Sequence, residues 1–496
     1  MTHAVQTNQI QLITYVDRLS GGKITDLHRL LQGQLAGLFD AVHLLPFYPP
    51  IDGEDAGFDP TDHTAVDSRL GSWADIERLA ADYPIMADMI VNHMSAQSPQ
   101  FLDVLQQGES SPYWPLFLTR DKVFGQQPDQ AQLDAIYRPR PTPCFTDIRL
   151  ANGDTKAFWT TFTANQIDID VTSAQGEAYL QAILQRFTDH GVKYIRLDAA
   201  GYAIKKAGSS CFMLPETFEF IEKLSKQAKA RGMTCLVEIH GYHKTQIEIA
   251  KRCDMVYDFA LPPLVLHTIF SGSAYALKTW LDIAPRNCIT VLDTHDGIGI
   301  VDAADYQGAA GLLTDPELDS LVEKIHHNSG GSSKLATGNA ANNVDLYQVN
   351  CSFYDALGRN NEHYLLARAI QLFCPGISQI YYGGLLAAEN DVALLKKTAV
   401  GRDINRPYFD ESSLQLALQK PVVKALMKLI QLRRTLQAFD GHFSQTLAPN
   451  LYQLNWQHGG HQASLSLQLD SLTATLAWQH QGQAAQQLQL ADLLVC

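Results

Sequence analysis

Three stretches of this chain end in groups that can do nucleophilic or acid–base chemistry. Val192-Lys-Tyr-Ile-Arg-Leu-Asp198 is a short β-rich run that stops on a carboxylate, with Arg196 two residues earlier. In a strand, residues i and i+2 point to the same side, so Arg196 and Asp198 project together. A guanidinium beside a carboxylate favours the ionised form, which a carboxylate nucleophile needs. A lone pair of this kind would serve equally well as a structural ion pair. Recurrence argues for chemistry. Met233-Thr-Cys-Leu-Val-Glu-Ile-His240 carries Glu238 near its C-terminal end, and Cys288-Ile-Thr-Val-Leu-Asp-Thr-His-Asp296 ends in His295 and Asp296.

The elements that must position these groups alternate along the chain. Strands are expected at 11–15, 41–45, 84–93, 192–198, 233–240, 255–258, 288–296 and 378–383. Helical patterns fall at 24–31, 75–81, 176–190, 215–231, 244–252, 262–281, 361–373 and 422–436. Such βα alternation predicts a parallel sheet. Carboxylates delivered at the C-terminal ends of several strands are how a (β/α)8 TIM barrel builds its site. The expected class is therefore α/β.

The alternation breaks twice, over 95–172 and over 297–353, and both breaks read as insertions on the face where barrel strands end. The second holds a helix expected at 316–327 and a Gly/Ser/Asn-rich stretch at 328–343, read as a mobile loop or a tight one over a site. The acid-rich loop 52–63 is expected to be solvated, or else to grip hydroxyl groups. From about Asp440 short runs such as Gln462-Ala-Ser-Leu-Ser-Leu-Gln-Leu469 alternate, the mark of a half-exposed antiparallel sheet. No internal repeat is evident.

Composition narrows the function class. A net charge of −14, with no basic stripe, argues against a nucleic-acid partner. No signal peptide is apparent at the N-terminus, and no apolar run approaches the roughly 20 residues of a membrane span. The eight cysteines show no metal-ligand spacing, which favours free thiols in a reducing cytoplasm.

These motifs resemble the α-amylase superfamily, glycoside hydrolase family 13. Asp88-Met-Ile-Val-Asn-His93, Ile195-Arg-Leu-Asp198, Glu238 and Asp293-Thr-His-Asp296 look like its four regions, in order, and Asn165-Gln-Ile-Asp-Ile-Asp170 like a further motif. Within it, Asp55-Ala-Gly-Phe-Asp-Pro60, Tyr137-Arg-Pro-Arg-Pro141, Asp345-Leu-Tyr-Gln-Val-Asn350 and Gly401-Arg-Asp-Ile-Asn-Arg406 are most similar to the sucrose phosphorylase subgroup. The resemblance implies a barrel domain A over 1–94, 173–296 and 354–439. It implies inserted domains B (95–172) and B′ (297–353) and a C-terminal antiparallel β domain (440–496).

It also implies roles. Asp198 would be the nucleophile, Glu238 the acid/base and Asp296 the transition-state stabiliser, with Glu238 held protonated by apolar walls and neighbouring carboxylates. A retaining enzyme sets two such carboxyls about 5–5.5 Å apart. Asp55, His93, His295 and Arg402 would hold the glucose ring, Phe58 and Phe162 would line the site, and Arg196 and Tyr202 would also bind substrate. Arg140 would receive phosphate, with Tyr347 and His240 nearby, and Asp345 and Gln348 would bind the fructosyl group, with Gly330-Gly-Ser-Ser333 giving their loop room to move. A solvated surface pair is the alternative for Arg138 and Arg140. The substrates implied are sucrose and inorganic phosphate, and the products α-glucose 1-phosphate and fructose. Related acceptors (sucrose 6′-phosphate, glucosylglycerol, glucosylglycerate) and a plain hydrolase or transglucosidase stay open. No cofactor is implied, and Asn92, at a calcium position of amylases, is not expected to bind calcium. Some relatives are dimers, so a homodimer is an expectation.

Overall fold

The computed structural model describes residues 8–19, 21–125, 127–338 and 348–495. Eight parallel strands close into a barrel: β1 Ile10–Thr14, β2 Ala41–Leu44, β3 Ile85–Ile90, β4 Tyr194–Asp198, β5 Thr234–Val237, β6 Met255–Asp258, β7 Cys288–Thr290 and β8 Ile377–Tyr381. Closure runs through β1, whose Gln11 pairs with Ala41 on one side and Gln379 on the other. Each strand is short and apolar because both its faces are covered, by helices outside and packed side chains inside. Met86, Leu236, Met255, Tyr257, Ile289 and Ile377 fill that interior.

The helices lie where the 3.6-residue pattern puts them, within a residue or two at each end. One expected helix is two. Leu261–Ser271 stops at Gly272, which adopts φ +68°, and Tyr275–Ile283 starts a new segment. A glycine just past a helix end readily takes this left-handed conformation and terminates it. The seventh strand is also shorter than expected, since Asp293 to Asp296 lie in the loop beyond Thr290. The acidic loop is solvated only in part: Asp52, Glu54 and Asp62 are exposed, whereas Asp55, Phe58 and Asp59 are buried. The described part of the Gly/Ser-rich stretch holds a helix over Ser332–Thr337, whose Ser333 hydroxyl pairs with His326 and Ser329. Asp345 and Tyr347 lie outside the described residues.

The 95–172 stretch holds the helix Pro99–Gln107 and the hairpin Phe145–Arg149/Thr155–Trp159. It also holds a short strand, Gln166–Asp168, that pairs with His93–Ser95 just past β3. At the C-terminus five antiparallel strands, β9 His442–Ala448, β10 Leu451–His458, β11 His461–Gln468, β12 Thr473–Gln479 and β13 Gln486–Gln489, form one sheet. Its buried face covers the helix Asn361–Phe373, which is why that helix is buried on every side from Tyr364 to Phe373. No helix among the described residues is long and apolar enough to cross a membrane.

Candidate active site

At the C-terminal ends of the strands a single guanidinium organises the acids. Arg196, 2% exposed on β4, places Nη1 2.9 Å from Asp198 Oδ1 and also bonds Asp88 of β3 with it. Its Nη2 lies 3.9 Å from Glu238 Oε1 and 4.0 Å from Asp296 Oδ2. All three expected carboxylates therefore converge on one cation. They line one pocket, and the side chains of Asp198 and Glu238 keep 13% and 14% of their surface open to solvent.

The backbone after the nucleophile position is bent. Ala199 adopts φ +55°, a left-handed conformation costly for any residue with a Cβ, and its N–H donates to Glu238 Oε2 at 3.3 Å. The turn thus ties the end of β4 to the residue after β5. Opposite it lies a network of ions. Arg402 is 2.8 Å from Asp296 Oδ1 and 3.9 Å from Asp55. Arg406, fully buried, lies 3.4 Å from Asp55 and 3.7 Å from Asp296, and donates from Nε to the His295 carbonyl at 2.7 Å. Arg140 Nη2 reaches Asp55 at 3.5 Å and its guanidinium lies over the Phe162 ring.

This electrostatic layout divides the acids. Burial alone would raise Asp296 and Asp55. Arg402 and Arg406, joined by His295 at Asp296 and by Arg140 at Asp55, hold both well below the usual carboxylate range. Asp198 goes the other way. Burial, helped by Glu238, Asp88 and Asp296, pushes it well up against the pull of Arg196. The expectation that Arg196 keeps Asp198 firmly ionised is therefore corrected, because Arg196 shares its charge among four carboxylates.

Aromatic rings shape the walls. Phe58 stacks flat on His295 (4.7 Å, 8°) and lies beneath Arg196, so it is site wall and not mere core. His93 donates from Nε2–H to the Phe58 carbonyl at 2.9 Å, and its ring meets Phe162 edge-on. Tyr202 packs between Phe162 and Phe212, and Tyr137 stacks on Phe212. The arginine pair splits: Arg140 is buried in the pocket wall whereas Arg138 is exposed. His240 and Gln348 complete the lining.

Every described residue expected at the site is brought to it. Sequence reasoning missed Gln166, Phe212, Arg406 and Asp302. Gln166 and Arg406 lie inside quoted motifs and could have been found there. Phe212 carried no signal, and Asp302, which bonds His240, lies beyond the last motif. One further cluster bears on metals. Around Asn92 the Lys205 ammonium sits 2.9 Å from Asn92 Oδ1 and 2.8 Å from Asp168 Oδ2, and donates to the Tyr202 carbonyl. Three oxygens suited to a hard cation thus hold the chain's own. Glu238, His240 and Asp296 also lie within 4.8 Å of one another, but the pocket already uses each of them.

Residues 35–283 match the family model described as "Alpha amylase, catalytic domain". The chain belongs to the α-amylase family. This α-amylase-family chain is 58% identical to a sucrose phosphorylase of Agrobacterium vitis, over 88% of its own length and 90% of the relative's. It is 49% identical to a sucrose phosphorylase of Bifidobacterium adolescentis, over 93% and 92%. The crystal structure of sucrose 6F-phosphate phosphorylase from Thermoanaerobacter thermosaccharolyticum superposes with a TM-score of 0.90 at 33% identity, covering 99% of this chain and 100% of that one.

Proposed function

We propose that this protein is a sucrose phosphorylase: it transfers the glucosyl group of sucrose reversibly to inorganic phosphate, with retention, giving α-D-glucose 1-phosphate and D-fructose. The observation that carries the reading is the meeting of Asp198, Glu238 and Asp296 on Arg196 in one pocket whose wall holds a buried arginine, Arg140. The high identity to two sucrose phosphorylases supports the choice of substrate.

In the first half-reaction an Asp198 oxygen attacks C1 of the glucosyl unit as the bond to the fructosyl oxygen breaks. Glu238 gives that oxygen its proton, and fructose leaves. Asp296, ionised by its arginines, binds the ring hydroxyls and steadies the positive charge developing at C1. In the second half-reaction a phosphate oxygen attacks C1 from the face fructose left. The ester to Asp198 breaks, and Glu238 takes the phosphate's proton. Two inversions give retention. The proton that Glu238 gives in the first half-reaction it regains in the second.

The pair needs help to choose phosphate. Millimolar phosphate competes with water at roughly 55 M, so a bias of about 5–7 kcal/mol is required at about 1.4 kcal/mol per decade. A guanidinium suits an oxyanion best, and Arg140 is in place to supply charged hydrogen bonds. His240 and Gln348, with Asp345 and Tyr347, complete the acceptor side, and 95–172 and 297–353 act as domains B and B′ that carry it. The enzyme works in the cytoplasm as a homodimer, which light scattering on the purified protein tests.

Product analysis decides the reading. Sucrose with phosphate should give glucose 1-phosphate and fructose. Phosphate-independent glucose release as the main reaction would overturn it. So would phosphorolysis of sucrose 6′-phosphate, glucosylglycerol or glucosylglycerate with none of sucrose.

A further inference from the structure

His240 follows Glu238 by two residues just past the β5 end, and both side chains line the pocket. Its Nε2 is 3.9 Å from Glu238 Oε1, and its ring lies flat on Phe259 with centroids 3.7 Å apart. Behind it, Nδ1 sits 2.9 Å from Asp302 Oδ2. Asp302 belongs to the 3-10 turn Val301–Ala303 of the second insertion and is fully buried. Its other oxygen accepts from the Gly241 N–H at 3.0 Å and from Gln246 Nε2 at 2.8 Å. Gly299 closes over the pair: a Cβ there would stand 2.2 Å from Asp302 Oδ2 and 3.1 Å from His240 Nδ1. The fold has cleared space for this one contact.

Two neutral N–H donors do not balance a fully buried carboxylate, but an imidazolium would. Among the described residues, the charged groups facing His240 are acidic. They are Asp302 from the insertion, Glu238 from its own strand and Asp296 from the loop after β7. The cation Arg196 stands beyond the last two, and Asp258 of β6, raised to about 7 chiefly by burial, lies on the Asp302 side. Burial would strip the proton from His240, but Asp302, then Glu238 and Asp296, raise its pKa above the ordinary imidazole value.

We propose that Asp302 is a positioning residue that keeps His240 doubly protonated and turned so that Nε2–H offers a charged donor to the incoming phosphate. Asp302 thereby favours phosphate over water as acceptor of the glucosyl group. The proposal deepens the phosphorolysis reading and rests on it.

Asp302→Asn keeps the shape and the Gly241 contact but removes the charge. Expected are an increase of about tenfold or more in the KM for phosphate, the scale of one lost charge-assisted hydrogen bond, and a larger hydrolysis share. Fructose release from sucrose should change far less. The pH above which phosphate affinity is lost should fall in the variant. An unchanged phosphate KM and pH profile would overturn the proposal. Histidine 15N NMR of the unsubstituted enzyme without phosphate, assigned through His240→Asn, gives an answer even if Asp302→Asn fails to fold. Both ring nitrogens of His240 should carry protons at neutral pH, and a neutral ring would overturn the proposal. Absence of any phosphate-dependent turnover would instead refute the phosphorolysis reading, leaving the charge of His240 decided by the NMR.

Discussion

At the scale of single residues, one arginine serves several acids, and that sharing sets the pH behaviour. Burial comes first in raising Asp198, and Arg196 is too divided to cancel it. Protonated Asp198 cannot attack C1, so kcat/KM falls as pH drops through its pKa. The acid limb of the profile should therefore lie above the ordinary carboxylate value of about 4. A limb at or below that value would show Arg196 winning. Asp198→Ala should abolish turnover with the circular dichroism unchanged, and appreciable residual phosphorolysis would remove it from the nucleophile role. Arg140→Ala, tested by the ratio of glucose to glucose 1-phosphate across phosphate concentrations, should raise the phosphate requirement and the hydrolysis share. It also leaves Asp55 with Arg402 and Arg406, so the pocket should survive.

Elements matter where they bring distant side chains to one point. Lys205 follows β4 by a few residues, Asn92 follows β3, and Asp168 ends the inserted strand that pairs with His93–Ser95. One buried ammonium thus pins the first insertion to two barrel strands. Lys205→Ala would leave Asp168, wholly buried, with its charge uncompensated, at a cost of about 3–5 kcal/mol. A clear fall in thermal midpoint should follow, and an unchanged midpoint would mean the pin is dispensable. The ends of elements were the least legible features. The helix break at Gly272 depends on a single glycine inside an apolar run. The short β7 depends on where its neighbours β6 and β8 stop pairing.

For the whole molecule, the C-terminal sheet is part of the barrel's covering and not an appendage. Trp456 of β10 is 5% exposed, donates from its indole N–H to the Phe373 carbonyl at 2.8 Å, and packs on Phe439 and Phe443. Trp456→Ala should cost about 3–5 kcal/mol, read as a lowered urea midpoint. A single transition should persist, because the sheet and the helix Asn361–Phe373 share one core. Two separated transitions would show the sheet folding on its own.

The sequence by itself determined the strand order, the two interruptions, the alternating tail and the three acids, since each leaves a local mark: a period, a composition or a motif. Asp55 carried a mark as well, though its acidic loop looked solvated until Arg402, Arg406 and Arg140 were seen to hold it inside. Only the tertiary structure decided which charges face one another. It alone showed that Arg138 points away while Arg140 points in, that Lys205 fills the oxygens around Asn92, and that Asp302 stands behind His240. Those facts depend on distances between residues tens to hundreds of positions apart. No local pattern encodes them, because electrostatic energy follows separation in space and not along the chain.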